Sequence, residues 1–460
     1  MPLLCVVIEF KRQVFSKLGV WLKSPRRKPL ILRGARQVGK TTLVKDFAKT
    51  FEQSILLILE KKEHYNFFEQ YEDARQLVDA LFLSFELNTG KKEETLLFID
   101  EIQESPKAIK LLRYLYEELP ELPVIAAGSL LEFALKDVQS FPVGRVEFMY
   151  LHPMNFAEYL EAMGYEMALE KYHEFPLKPL AHSVLQKYFH EYAIVGGMPE
   201  VVSNYSTEKQ LSQLPKVYES IWATYGDDVK KYAVNDTERR VISHIMNTAH
   251  LYLDQRITFQ HFGNSNYKSR EVGEAFRKLD DAKVLRLIYP TTETTLPLKP
   301  NLRKSPRMQF LDTGLVNYSL RIQAELLALN DLSHAFKGSL IPHLVTQEII
   351  STNVYNDPKP MFWVREKKQA QSELDILQVV DNTLIPVEIK SGSAGKLRSL
   401  HVFLEMANLH FAIRIYGGEL SLEQHKTASG WPYTLLNLPY YLGAKIDDYA
   451  RHFYRLVNDN

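Results

Sequence analysis

The segment Leu30-Ile31-Leu32-Arg33-Gly34-Ala35-Arg36-Gln37-Val38-Gly39-Lys40-Thr41-Thr42 constrains this chain more than any other feature of it. An apolar run leads into G-x-x-x-x-G-K-T, and Leu43, Val44, Phe47 and Ala48 follow at helical spacing. Strand, glycine-bounded loop and helix in that order read as a phosphate-binding loop. Gly34 and Gly39 let the backbone curl so that the N–H groups of Ala35, Arg36, Gln37 and Val38 point inward at a β-phosphate. Lys40 supplies a mobile positive charge for the β- and γ-phosphates, the Thr41 hydroxyl is placed to ligate Mg²⁺, and Thr42 completes the loop. The expected fold class is therefore α/β: a P-loop core with a parallel sheet and helices on both faces, holding a nucleoside triphosphate and Mg²⁺.

Such a loop needs an acidic partner, and Leu96-Leu97-Phe98-Ile99-Asp100-Glu101 supplies it as an apolar strand ending in two carboxylates. Asp100 is expected to hold Mg²⁺ through its water shell. Glu101, one residue on, is placed to polarise an attacking water as a general base. The next strand, Val124 to Ala127, runs into Gly128-Ser129, so Ser129 stands where a hydroxyl would sense the γ-phosphate, or alternatively cap the helix begun by Leu130, Leu131 and Ala134. Arg145, in Pro142-Val143-Gly144-Arg145, is the candidate cation for the transferring phosphoryl group, from its own chain or a neighbouring subunit.

Bulk properties narrow the class. At 460 residues the chain is too long for one typical core. Lys plus Arg and Asp plus Glu are both 56, so there is no global field, and nucleic acid would have to meet a local patch. The single Cys5 excludes an internal disulfide, argues against a cysteine-based metal site and fits a reducing compartment. Leu3 to Ile8 is far too short to cross a bilayer and lacks a basic n-region, so the expectation is a cytoplasmic protein with no membrane partner.

Taken together, G-A-R-Q-V-G-K-T-T, F-I-D-E-I-Q, A-A-G-S-L-L, the stretch from Gly144-Arg145 to Leu151-His152-Pro153-Met154-Asn155-Phe156-Ala157-Glu158-Tyr159, and Val195-Gly196-Gly197-Met198-Pro199-Glu200 carry a resemblance over nearly the whole chain. It resembles the AAA-type ATPases of bacteria and archaea whose C-terminal domain of unknown function is similar to the PD-(D/E)XK nuclease fold. The resemblance implies ATP rather than another nucleotide, and hydrolysis of it. From residue types alone, Gly196-Gly197 with Pro199 is a tight turn between helices.

Past the ATPase, Val272, Phe276 and Leu279 at helical spacing precede Val284 to Tyr289 and a Thr- and Pro-rich stretch, which suggests a winged helix. Lys268, Arg270, Arg277, Lys278, Lys283, Arg286, Lys299, Arg303, Lys304 and Arg307 outnumber the acids there and offer a track for a DNA backbone, or else a solvated face. Further on, Glu373 to Lys390 reads as two strands joined at Asp381-Asn382, which sets Asp375 opposite Glu388 and Glu373 opposite Lys390. Two opposed carboxylates repel unless something compensates them, and Mg²⁺ would. This matches the D…E-x-K core of the nuclease fold, with Lys390 on the face of Glu388 and Glu348 in the place of that fold's helical acid. The other reading is a hairpin with cross-strand ion pairs.

The domains expected are an ATPase core over 1–150, a helical appendage over 151–235, a winged-helix region over 236–325 and a nuclease-like α/β domain over 326–460. Three functions follow in order: a Mg²⁺-dependent ATPase that drives or switches its C-terminal modules, a metal-dependent DNA nuclease licensed by ATP, and a nucleotide-switched protein-binding module with little hydrolysis. DNA, a protein partner or further copies of the chain are the partners these readings require.

Overall fold

The computed structural model describes residues 10–129, 131–133, 141–142, 144–328, 338–365, 372–390 and 397–458. The stretch Leu3 to Ile8 with Cys5, and Leu130, Ala134 and Val143 of the sequence reading, lie outside them. The chain divides into two compact units. One comprises Met1–His152 with the short excursions Asp281–Lys283 and Asn353–Asp357, and the other Pro153–Asp280, Val284–Thr352 and Pro358–Asn460.

The first unit is built on a five-stranded sheet of β1 (Leu30–Arg33), β2 (Gln53–Ile58), β3 (Thr95–Asp100), β4 (Val124–Ala127) and β5 (Glu147–Tyr150), in the order β2-β3-β4-β1-β5. Every pairing is parallel. Parallel strands need long crossovers. Helices α1 (Gln13–Leu22), α2 (Lys40–Ala48), α3 (Lys62–Gln70), α4 (Ala74–Ser84) and α5 (Pro106–Glu118) accompany the sheet. A sheet covered by helices reads as unbroken apolar runs, and β3 and β4 are buried at every position. Ile31, Ile55, Leu57, Leu97, Ile99 and Ala126 form a core with Leu77, Leu81, Ile109 and Leu112 of α4 and α5. Ser105 caps α5 by accepting from the Ala108 N–H, with Pro106 opening the helix where no N–H is needed.

The second unit begins with helices. Asn155 and Glu158 form a capping box for the helix Phe156–Ala162. The helices His182–Val195 and Pro199–Glu208 meet at Gly196-Gly197, the turn expected there. A Cβ on Gly197 would lie 2.1 Å from Met154 O, so the close approach requires glycine. The helix Ser269–Asp281 is followed by β6 (Leu285–Ile288), which pairs antiparallel with β7 (Arg307–Phe310) as a two-stranded ribbon.

The C-terminal region is α/β. β8 (Trp363–Val364) pairs with β9 (Glu373–Leu374), and β10 (Ile376–Val380), β11 (Thr383–Ile389), β12 (Phe411–Tyr416), β13 (Ser421–Lys426) and β14 (Pro432–Pro439) form a mixed sheet ordered β10-β11-β12-β14-β13. Asp381 and Asn382 form the β10–β11 turn with φ of 47° and 61°, as a two-residue hairpin of this hand requires. The register Ile376↔Val387 and Val380↔Thr383 is the one counted from the sequence. Trp363, Leu374, Phe403, Leu404, Ala412 and Leu435 pack around this sheet and the helix Arg398–Ala407.

Candidate nucleotide site

The phosphate-binding loop lies at the carboxyl end of β1, where open α/β sheets bind ligands. Gly34 has φ 151° and a Cβ there would sit 2.2 Å from Leu151 O. Gly39 has φ 95° and Gln37 φ 60°. The Lys40 ammonium donates to the carbonyl oxygens of Gly34 (2.9 Å) and Ala35 (2.8 Å). Burial pulls Lys40 down to about 8, although Glu101 and Asp100 resist this. A loop that buries a lysine without a full counter-charge favours a bound anion, and Lys40 lies at the N-terminus of α2, where the helix dipole has the same preference.

Thr41 Oγ1 donates to Asp100 Oδ2 at 2.7 Å, so the two residues assigned to the metal from sequence are brought together. Burial raises the Asp100 carboxyl, and the Thr41 hydrogen bond works against that. A buried carboxylate paired with one hydroxyl is a donor set that fits a hard divalent cation. Glu101 adopts the left-handed region, φ 54°, at a cost of roughly 1–2 kcal/mol for a non-glycine residue. Its carboxylate accepts from Gln103 Nε2 at 2.6 Å. Ser129 is 3% exposed, and its Oγ is buried with no hydrogen-bond partner among the described residues. An orphaned buried hydroxyl costs about 1–3 kcal/mol, which argues for a function.

Arg145 is not brought to this site within its own chain. It lies just before β5, whose Glu147 is in register with Leu30 at the opposite end of β1 from the loop. β1 is four residues long, which separates those ends by roughly 10 Å. Arg145 Nε instead donates to Glu117 Oε1 of α5 at 2.7 Å.

Sequence reasoning missed two features beside the loop. Gln103 ends F-I-D-E-I-Q, two residues past Glu101, and its residue type alone points to no role. Glu132 pairs with Arg33 (3.7 Å) and with Lys283 (3.4 Å), and Lys283 also pairs with Asp357 (2.9 Å). Glu132 is among the charges acting on Lys40. Nothing in the sequence links residues so far apart.

The acids assigned to a second metal site are placed differently. The β10–β11 ladder ends at Ile376↔Val387; Asp375, one residue beyond it, is near enough to act on Glu388, and Arg307 of β7 reaches Asp375. Arg307 donates from Nε to Glu373 Oε1 at 2.8 Å and pairs through Nη1 with Asp375 (3.4 Å) and Asp254 (3.3 Å). Burial works against the guanidinium, but Asp254, Asp375 and Glu373 outweigh it and hold it above the usual arginine value. Lys390 pairs with Glu388 at 2.5 Å rather than with Glu373. Burial, with Asp375 nearby, raises the Glu388 carboxyl. Glu348 is not brought to this cluster. It is fully buried and accepts from the Phe156 N–H (3.1 Å) and Tyr192 OH (2.9 Å), and burial pushes it up to about 8. Among the described residues no group of three or more His, Cys, Asp or Glu side chains could hold a metal ion. A cation is present in the cluster, but it is an arginine.

The basic track of the middle region is also partly consumed. Arg270 pairs with Glu274, Lys278 with Glu238, Lys283 and Arg307 as above, and Arg286 is 3% exposed.

The all-parallel sheet, the loop and the Thr41–Asp100 pair define a P-loop nucleotide-binding domain. Residues 26–160 match the family model described as an AAA domain, so the chain carries an AAA-type ATPase domain. Residues 186–326 and 337–436 match models described as domains of unknown function, DUF8612 and DUF4143. No curated protein matches the chain. Solved structures similar to it include the Walker-type ATPase PABY2304 of Pyrococcus abyssi, at 14% identity over 68% of this chain and 96% of that one, TM-score 0.43. AMPPCP-bound DnaA from Aquifex aeolicus aligns at 12% identity over 59% and 88%, TM-score 0.25. The Aeropyrum pernix Orc1 protein in complex with DNA aligns at 11% over 71% and 96%, TM-score 0.29. At these scores none of them adds to what the loop and its sheet define. Among the described residues no helix is long and apolar enough to cross a membrane.

Proposed function

We propose that the protein is a Mg²⁺-dependent ATPase whose nucleotide state switches its C-terminal modules. The Thr41–Asp100 pair, set against the buried Lys40, carries this reading. Lys40 and the loop amides hold the β- and γ-phosphates, Thr41 and Asp100 hold Mg²⁺, and Ser129 contacts the γ-phosphate or the water. The metal, when bound, neutralises charge on the phosphate oxygens. Glu101 takes the proton of the water that attacks the γ-phosphorus as the bond to the β-phosphate oxygen breaks, giving ADP and phosphate. Arg145 is left no role in its own chain, and a role in a neighbouring subunit would require the chain to assemble.

The middle region is proposed to be a winged helix, supported by the helix Ser269–Asp281 followed by the β6–β7 ribbon. DNA is a proposed partner through the exposed Lys268, Arg277, Lys299 and Arg303. Nuclease action is not adopted, because Asp375 is paired with Arg307, Glu388 with Lys390, and Glu348 is turned to Phe156 and Tyr192. The test is phosphate release with ATP and Mg²⁺, with and without duplex DNA. Turnover should fall at least about 100-fold in Glu101→Gln, in line with loss of a general base, and be abolished in Lys40→Ala. Stimulation by DNA supports a DNA-processing role, and indifference to it points to a protein partner. ATP binding without turnover overturns the hydrolysis claim in favour of a nucleotide-switched binding module.

A further inference from the structure

The geometry points to Gln103 as the positioning residue for Glu101, its carboxamide spanning the general base and the start of the Ser129 loop so that all three converge on the attacking water. The inference rests on the ATPase reading above. Gln103 Nε2 donates to Glu101 Oε2 at 2.6 Å. This bond is available because Glu101 takes a left-handed conformation and the turn Ile102–Glu104 brings Gln103 back to it. The other end of the carboxamide, Oε1, is buried and has no hydrogen-bond partner among the described residues, and the same holds for Ser129 Oγ. Gln103 Oε1 lies against Gly128, the residue before Ser129, where an added Cβ would lie 2.4 Å from it.

A carboxamide held at its nitrogen end by a carboxylate presents its oxygen as an acceptor, and a serine hydroxyl both donates and accepts. A water between them would give one hydrogen to Gln103 Oε1, accept from Ser129 Oγ, and pass its other hydrogen to Glu101 as it attacks. Gln103 itself exchanges no proton. It fixes the rotamer of Glu101 and the orientation of the water, so its loss lowers kcat and leaves nucleotide binding alone, because the phosphates are held by Lys40 and the loop amides.

Two substitutions approach the residue from opposite sides. Gln103→Ala removes the carboxamide. Gly128→Ala keeps it but drives a methyl group into Oε1, with no positive φ at Gly128 to penalise alanine. Both are expected to lower kcat for ATP at least about tenfold, with KM and the Kd of a non-hydrolysable ATP analogue within about twofold of wild type. Thermal melting of each variant with the analogue shows whether the fold and the binding loop are intact. If both variants melt and bind like wild type and turn over within twofold of it, the assignment is overturned while the ATPase reading stands. If kcat falls only together with analogue affinity, Gln103 is a packing residue and the assignment is again wrong. Wild-type protein that binds the analogue and hydrolyses no ATP overturns the ATPase reading, and this inference with it.

Discussion

Lys40 shows how burial sets the working range of a single side chain. Its ammonium is 7% exposed and held by two main-chain carbonyls, and burial lowers its ordinary value to about 8. The sign follows from which form each state prefers. Triphosphate requires the charged lysine, so affinity is full below about pH 8 and declines above it by up to tenfold per pH unit. Titration of a fluorescent ATP analogue at pH 7 and pH 9 should therefore show roughly tenfold weaker binding at the higher pH. An affinity constant across that range would mean that Lys40 stays charged throughout. Without ligand the same shift makes folding stability rise with pH between about 8 and the ordinary lysine range, because there the unfolded chain binds the extra proton.

At the scale of elements, the β9–β11 region is held by an ion cluster around Arg307. Asp254, Glu373 and Asp375 surround Arg307, and each is partly buried. Arg307→Met leaves Asp254 and Asp375 without this cation and Glu373 with Arg256 alone, at 3.7 Å. Breaking a buried pair costs about 3–5 kcal/mol, and partial solvent access trims this to about 2–3 kcal/mol. Burial raises the Asp254 carboxyl to about 7 even beside Arg307, so its protonation relieves the repulsion and the loss should be largest near pH 8 and shrink toward pH 5. Melting curves of both proteins at the two pH values would show this, and an equal deficit at both would exclude the electrostatic account. Recovery of the variant's stability with Mn²⁺ would show that the carboxylates form a cation site once the arginine is gone. How much of this was legible in the sequence depends on the range of each interaction. The loop, the Asp100 strand and the Asp381-Asn382 hairpin are local patterns, and residue types fixed them. β2 and β5 carry no terminal motif, and β12 to β14 are single members of a sheet assembled across distant segments. Arg307 lies far along the chain from Asp375, so their pairing is not legible in a local pattern that leaves a metal and ion pairs as alternatives. Glu348 fell on a helix, as the resemblance implied. It faces Tyr192 and Phe156, while His343 and Thr346 of the same helix line the cleft that Asp375 also lines.

For the whole molecule, the informative fact is that the ATPase unit includes two short excursions of the chain from elsewhere. Asn353–Asp357 is tied to β5 by the Tyr150 N–H donating to Val354 O at 2.6 Å, and His152 Nε2 is 3.1 Å from Asn353 O. Asp281–Lys283 is tied in through Lys283, which bridges Asp357 and the same Glu132 that acts on Lys40. A nucleotide stabilises whatever it rigidifies, by about 2.7 kcal/mol at a hundredfold excess over Kd. Both excursions run directly into the rest of the chain at each end, so ordering them is how the binding energy of the loop would reach the second unit. Hydrogen exchange with and without a non-hydrolysable ATP analogue and Mg²⁺ should show added protection at residues 34–42 and also at 281–283 and 353–357. Lys40→Ala should remove all of it. Lys283→Ala should keep the protection at the loop and lose it at 281–283 and around Asp357, because the Glu132–Lys283–Asp357 bridge is then broken while the Tyr150–Val354 and His152–Asn353 ties remain. Protection confined to the loop in the wild type would mean that the excursions are passive packing, and that nucleotide state does not leave the ATPase unit by this route.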